Sequence, residues 1–407
     1  MPWAVLWGKV CIESLAAAFC VPTVLNEAPR DPSRLKAPDM NEQSDRKPKD
    51  RDFLRTQEGM FFCVTGYLHP PDRYTAYLKY TPVEEGKWKD GTSAYRRELP
   101  YYHVSRVGDT IDYLAERYPR YVNWCPVRGF RFSLVPLEGV SRYYRPEERL
   151  SAIWRGPDDR LEEQVYGLVN ELVDHADLSR DAFGVTGSIL IGIHNPAFSD
   201  IDLTVYGQEN AQAVRNVLRQ QTTPDIEHLG SETLARWTRR VAERFPLSRE
   251  DADYLAGRRW NYGRYQGRYF SIHPTRTDAE IEETYGDHVY RALGAARIRA
   301  VISDASEALF MPAIYEVESV EVLEGDPRAS QVRRIVSYEG LYRDVAGAGR
   351  LVEARGKLET VDGAPERLVI GAMGLGGRGY IIPVWKGAVG TVAGLSGRTI
   401  GPSTGPR

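Results

Sequence analysis

Apolar and polar positions change rhythm twice along the chain. Between Asp52 and about Leu150 the runs are short and alternating, as in Gly59 to Tyr67, Tyr74 to Tyr80 and Arg131 to Val135, with Pro and Gly between them. Alternation of this kind places every second side chain on one face of a strand, so a small β-rich or α+β domain is expected there. From Pro157 to Leu178 the period lengthens. Leu161, Val165, Leu168, Val169, Leu172 and Val173 recur at helical spacing behind a capping Asp158 or Asp159, which predicts a helix packed by its apolar stripe. A second amphipathic helix is predicted near Asn210 to Gln220, with Ala211, Val214, Val217 and Leu218 on one face, followed by a helical insertion from Ser231 to Ala256. Beyond Arg297 the period returns to two: Ile298 to Ser303, Ala313 to Leu323, Val332 to Tyr342, Arg350 to Val361, Arg367 to Ala372 and Gly379 to Val384. Successive strands with turns such as Gly325-Asp326-Pro327 point to an antiparallel barrel.

The fold class read from this pattern is α+β, with a mixed sheet and helices at the centre flanked by an N-terminal β-rich domain and a C-terminal barrel-like one. The divisions fall at 1–51, an extension and solvated linker; 52–150; 151–296; 297–393; and 394–407, a Gly/Ser/Thr-rich mobile tail. A length of 407 residues fits two or three cores. Ala4 to Leu25 is apolar, but Lys9 and Glu13 interrupt it and no basic region precedes it; an ordinary extension, a cytoplasmic location and no membrane association are expected. Cys11, Cys20, Cys63 and Cys125 are scattered without a CxxC, so reduced thiols and no zinc site are expected. The net charge of −3 gives no general attraction to nucleic acid; polynucleotide binding would need a local patch.

The candidate chemistry lies in the middle segment. Phe183-Gly184-Val185-Thr186-Gly187-Ser188-Ile189-Leu190 has the pattern of a short strand, a tight glycine turn and the first turn of a helix. Free N–H groups at such a start, with Gly187 allowing close approach and Ser188 adding a hydroxyl, suit a phosphate. Asp200 and Asp202 flank Ile201 at the head of the next strand and project to one side. Like charges a pleat apart call for a cation, and oxygen-only ligands at a phosphate site favour Mg²⁺ or Mn²⁺. The pair therefore suggests phosphoryl or nucleotidyl transfer from a nucleoside triphosphate.

A glycine-serine turn followed after about ten residues by an apolar-flanked Asp-x-Asp strand resembles the DNA polymerase β-type nucleotidyltransferase superfamily, firmly over Asp181 to Tyr206 and loosely over Gln164 to Pro274. The resemblance implies that Gly187 and Ser188 bind the β and γ phosphates and that Asp200 and Asp202 hold metal. It also implies that a third carboxylate on a later strand assists an attacking hydroxyl. In Arg268-Tyr269-Phe270-Ser271-Ile272-His273-Pro274, however, Ser271 occupies that slot. Asp278 or Glu280 could reach the site instead, His273 could substitute, or the site could bind nucleotide without turning it over.

Two aromatic and basic stretches complete the reading. Tyr254 to Thr277 contains no acidic residue and carries Arg258, Arg259, Arg264, Arg268 and Arg276 among Trp260, Tyr262, Tyr265 and Tyr269. Arg258 and Arg259 are the candidates for steadying a triphosphate or a phosphate-bearing acceptor. Tyr74, Tyr77, Tyr80, Tyr95, Tyr101 and Tyr102 with their basic neighbours could stack on RNA bases or could simply be strand residues. Gly374 to Gly379 matches GxGxxG, but the strand-like Tyr380-Ile381-Ile382 that follows makes it a hairpin turn.

Overall fold

The computed structural model describes residues 46–91, 93–98, 104–220, 223, 225–371 and 378–385. The apolar Ala4 to Leu25 segment, Cys11 and Cys20, the GxGxxG turn and the C-terminal tail lie wholly or mostly outside them.

The N-terminal sheet is built from β1 (Phe53–Thr56), β2 (Phe61–Val64), β3 (Arg73–Val83), β4 (Trp88–Asp90), β5 (Ser93–Arg97), β6 (Val122–Cys125), β7 (Phe130–Pro136) and β8 (Val140–Tyr144), with helix α1 (Val104–Arg117) between β5 and β6. Its main path runs β4-β5-β3-β2-β1-β8, and β7 joins β3 to β6. One face buries Leu54, Phe62, Val64, Leu78 and Val135 against Leu114 of α1 and Tyr121. The other face presents Phe53, Phe61, Cys63, Tyr80 and Tyr95 to Leu190, Ile191 and Ile193 of the middle segment. Because both faces are apolar, the sheet is complete only when docked on the glycine-serine loop.

The middle sheet follows the sequence expectation closely. After α2 (Pro146–Arg155) and α3 (Arg160–Ala176) come β9 (Phe183–Val185), α4 (Gly187–Leu190), β10 (Ile201–Tyr206), α5 (Gln208–Gln220) and β11 (Ile226–His228). They are followed by α6 (Ser231–Arg244), α7 (Arg249–Gly257), β12 (Tyr262–Tyr265) and β13 (Arg268–Thr275). The order is β11-β12-β13-β10-β9, with β10 and β13 parallel and the other neighbours antiparallel. Asp159 caps α3 through Leu161 N and Glu162 N. Ile201, Leu203, Val205, Phe270 and Ile272 face Leu161, Val165, Leu168, Val214 and Leu218 in one core. Each buried aliphatic contributes on the order of 1.5–3 kcal/mol, so a one-residue slip that turned three of them outward would cost several kcal/mol. The register therefore fixes the opposite face, where the even positions of β10 and the odd positions of β13 stand.

The C-terminal sheet contains β14 (Tyr290–Asp304), β15 (Ala313–Glu324), β16 (Arg334–Ser337), β17 (Leu351–Val361), β18 (Ala364–Ile370) and β19 (Tyr380–Pro383). Its pairings run from β14 through β15, β16, β18 and β17 back to β14, so the sheet is curled and barrel-like. One pairing departs from the expected antiparallel order: β16 and β18 are parallel.

Three boundaries differ from the sequence reading. Residues 46–51 are packed rather than solvated: Lys49 and Asp50 are buried, and fully buried Asp52 accepts from Arg46 Nη1 at 2.6 Å, Tyr143 Oη at 2.6 Å and Lys49 N at 2.9 Å. Charged residues look solvated in sequence, but here Arg46 also pairs with Glu147 and Lys49 with Asp278, far along the chain. The insertion α6–α7 lies within 151–296, yet its Trp237, Val241, Leu255 and Ala256 pack on Ile298, Tyr315, Ile335 and Tyr342 of the C-terminal core. The first strand of that core also begins at Tyr290, ahead of 297.

Candidate functional site

The site grows from the turn between β9 and β10. Thr186 N donates to Asp202 O at 2.8 Å, which ends β9 against β10. Gly187 then takes φ +69°, a left-handed conformation natural to glycine. A Cβ placed on Gly187 would lie 2.5 Å from Asp202 Oδ2. The turn and the second carboxylate thus abut, and only a residue without a side chain fits between them. Ser188 is half-buried in the single turn of α4, and its carbonyl accepts from Ile193 N at 3.0 Å. Gly187 and Ser188 form the shoulder behind Asp202; the cavity wall itself is made by other residues.

Asp200, Asp202, Tyr269, Ser271 and His273 all line one cavity of about 890 Å³ between the three sheets. The parallel register sets Asp202 directly beside Ser271 and Thr204 beside His273. Ser271 Oγ donates to Asp202 Oδ1 and lies 2.8 Å from His273 Nε2. Since Ser271 gives its only proton to the carboxylate, His273 Nε2 carries the proton shared with Ser271 Oγ. His273 Nδ1 is then an acceptor, buried without a hydrogen-bond partner.

Electrostatics sharpens these roles. Burial works to raise the Asp202 carboxyl, but the polar contacts of His273 and Ser271 and the charge of Lys79 outweigh it, holding the group well below the usual carboxylate range. Burial, and then the charge of Arg51, push the His273 imidazole down to about 3. At neutral pH the cluster is an ionised aspartate, a donating serine and a neutral histidine. Ser271 and His273 therefore hold Asp202 in place and supply no third negative charge.

The remaining candidates separate cleanly. Arg259 lines the cavity, stacked 4.9 Å from the Trp237 ring and 4.4 Å from the Tyr262 ring. Arg258, its neighbour, turns away: its Nε donates to Asp344 O at 3.0 Å and its guanidinium lies over Tyr254. Asp278 is engaged elsewhere, as the partner of Lys49 Nζ and of Lys47 N at 3.2 Å, and it is not among the cavity-lining residues. Glu280 reaches the wall, but both of its oxygens are used, accepting from Gln208 N at 2.7 Å and Thr277 N at 2.8 Å. Asp278 thus stands outside the cavity, whereas Glu280 reaches its wall with one backbone contact on each oxygen.

Sequence reasoning missed Arg51 and Arg343 and counted Lys79 only among the basic neighbours of the N-terminal tyrosines; all three line the cavity. Arg51 sat in the presumed linker and Arg343 in the distant C-terminal domain, and neither position carries a pattern. Lys79 did carry a faint signal, a charged residue at an inward position of the β3 alternation; it is buried, with Nζ 5.1 Å from the Phe53 ring. Among the described residues a second group of metal-type ligands, Asp159, Glu162 and His194, lies together elsewhere. Its members already serve other partners. Asp159 caps α3 and meets His194 Nε2 at 2.9 Å, while Glu162 pairs with Arg149 and accepts from Asp158 N.

The fold and site thus define an α+β protein with a cavity lined by both carboxylates and guanidinium groups at the junction of three sheets. An uncharacterized protein of Methanocaldococcus jannaschii is similar to it, with 29% identity over 321 residues that span 77% of this chain and 92% of the relative. No family model matches the chain, and no solved structure matches it. No helix among the described residues is long and apolar enough to cross a membrane.

Proposed function

We propose that the protein is a nucleotidyltransferase that moves an NMP group from a nucleoside triphosphate to a hydroxyl of RNA, a protein or a small molecule, releasing pyrophosphate. The observation that carries this reading is the abutment of Gly187 on Asp202, with Asp200 and Asp202 on the same cavity. Mixed strand order, with β9 antiparallel and β13 parallel to β10, agrees with the resemblance to the polymerase β-type superfamily.

The donor set fits a hard divalent ion. Asp200 and Asp202 offer oxygen only, Asp202 stays ionised, and Asp202 Oδ2 is not used by Ser271. Bound there, Mg²⁺ or Mn²⁺ would neutralise charge on the α-phosphate and orient the attacking hydroxyl. Ser271 keeps the Asp202 carboxylate fixed, and Arg259 supplies a guanidinium to the phosphates. In the transfer an acceptor O–P bond forms, the bond from Pα to the pyrophosphate oxygen breaks, and the hydroxyl proton departs. Neutral His273 is a poor base and Ser271 has already committed its proton, which leaves Asp200 as the proton acceptor in this reading.

A second reading has its own support. Ser271 in place of a third carboxylate suits a protein that binds a nucleotide without turning it over. Incubating the purified protein with each α-labelled NTP, Mg²⁺ or Mn²⁺, and total cellular RNA or lysate separates the two. Labelled acceptor and released pyrophosphate, both lost in folded Asp200→Asn and Asp202→Asn variants, support transfer. Binding without pyrophosphate release supports the silent reading, and equal activity in the double variant ends the transfer proposal.

A further inference from the structure

Three guanidinium groups from three separate parts of the chain line the same cavity as the carboxylate pair, and one of them, Arg259, stacks 4.4 Å from the Tyr262 ring. Arg51 comes from the strap before β1, Arg259 from the end of the helical insertion, and Arg343 from the turn after β16. Arg51 is held at φ +74°, a conformation that non-glycine residues rarely adopt and keep only when their surroundings enforce it. The enforcement is visible: Arg51 N donates to Val64 O at 3.1 Å, and Arg51 O accepts from Thr186 Oγ1 at 2.7 Å. The residue beside the glycine turn thus sets the backbone from which Arg51 projects. Asp50 approaches Arg51 Nε at 3.4 Å. Arg259 donates from Nη1 to Gly340 O at 3.2 Å, while its Nε is buried without a hydrogen-bond partner. Arg343 Nη1 is likewise buried without one.

Neighbouring groups register the excess of positive charge. Burial would raise the Tyr262 phenol, yet Arg259, Arg343 and Arg51 pull it below its ordinary value. The Arg343 guanidinium is lowered by burial and by the charges of Arg51 and Arg259. Desolvated guanidiniums with unused N–H groups are expensive to maintain unless an anion completes them. Fork-shaped donors on one cavity match the several oxygens of a phosphate chain.

We infer that Arg51, Arg259 and Arg343 form a cradle that binds a di- or triphosphate chain independently of metal. The inference deepens the transfer reading and rests on it for the source of the chain: either the incoming nucleotide or a phosphate carried by the acceptor.

Calorimetric titration of the full chain in EDTA tests it, with inorganic tripolyphosphate, ATP and AMP as probes. Tripolyphosphate and ATP are expected to bind without metal. Arg343→Gln should weaken both by about tenfold or more, the scale of a lost charged hydrogen bond, Arg343→Lys should recover part of the loss, and Arg258→Gln, turned away from the cavity, should leave binding intact. AMP binding as tight as ATP would overturn the inference, because a cradle for a phosphate chain must prefer the longer chain. Absence of tripolyphosphate binding overturns the inference, as does binding that is unchanged in Arg343→Lys and in Arg343→Gln of native circular dichroism. If Arg343→Gln fails to fold, Arg51→Gln, for which the same tenfold loss is expected, replaces it. The two proposals fail separately: metal-free binding does not require the carboxylate pair, and NTP transfer without tripolyphosphate binding would sink the cradle alone.

Discussion

Replacing Gly187 with Ala tests whether the turn and the carboxylate are built as one unit. Two costs arise at this position. The left-handed backbone, at φ +69°, is disfavoured for alanine by about 1–2 kcal/mol. The new Cβ would also sit 2.5 Å from Asp202 Oδ2, well inside contact distance, so the carboxylate would have to move. Asp202 is not free to do so without losing the hydrogen bond from Ser271, and a hydrogen bond to a charged group is worth about 1.5–3 kcal/mol. Gly192 is an internal control, because it has nearly the same backbone, φ +71°, with nothing within 4 Å of an added Cβ. Urea unfolding should show Gly192→Ala losing only the backbone share, about 1–2 kcal/mol, and Gly187→Ala losing about 1.5–3 kcal/mol more. Mn²⁺ affinity should fall in Gly187→Ala and remain in Gly192→Ala. Equal destabilisation of the two, with metal and nucleotide binding unchanged, would refute the close packing of turn and carboxylate.

Further perturbations probe the parts separately. Arg258→Gln should leave nucleotide affinity unchanged, whereas Arg259→Gln should weaken it, because only Arg259 lines the cavity; parallel calorimetric titrations check this. His273 is held at about 3 in the fold against about 6.5 in the unfolded chain. The unfolded state therefore binds the extra proton between these values, and stability is lost as pH falls from about 6.5 towards 3. Urea titrations across this window should show His273→Gln flattening the slope by up to about 1.4 kcal/mol per pH unit, with His69, also held at about 3, retaining its own share. Arg46→Ala should destabilise the fold by about 3–5 kcal/mol, since it strands the fully buried Asp52 carboxylate; thermal and urea unfolding measure the loss.

The legible parts of the molecule are those where a period carries the information. Alternation along β10 sorted Ile201 and Leu203 into the core and Asp200 and Asp202 to the other side, whereas the pairing of Asp202 with Ser271 is set by the parallel register of β10 and β13, which alternation does not specify. The helical stripes of α3 and α5 were equally plain. A stripe states that a helix has an apolar side and says nothing about which sheet receives it, so the docking of α6 and α7 on the C-terminal core could not be read. Arg46, Lys49, Asp50 and Asp52 were invisible for a different reason. Arg46 and Lys49 reach Glu147 and Asp278 far along the chain, while Asp52 and Asp50 are paired within the segment itself, by Arg46 and Arg51, and composition alone describes such a segment as solvated. Arg258 and Arg259 differ by one position and face opposite surroundings, a distinction set by Asp344 and Gly340 in another sheet.

The central claim, that Asp200 and Asp202 share one divalent cation facing a nucleotide, is tested most directly by titrating Mn²⁺ into the protein with a non-hydrolysable NTP analogue, following the free-ion electron paramagnetic resonance signal. The account predicts a nucleotide-dependent Mn²⁺ site that disappears in both Asp200→Asn and Asp202→Asn while each variant keeps its native melting profile. Retention of that site in the double variant, or its absence from the wild-type protein, would contradict the account.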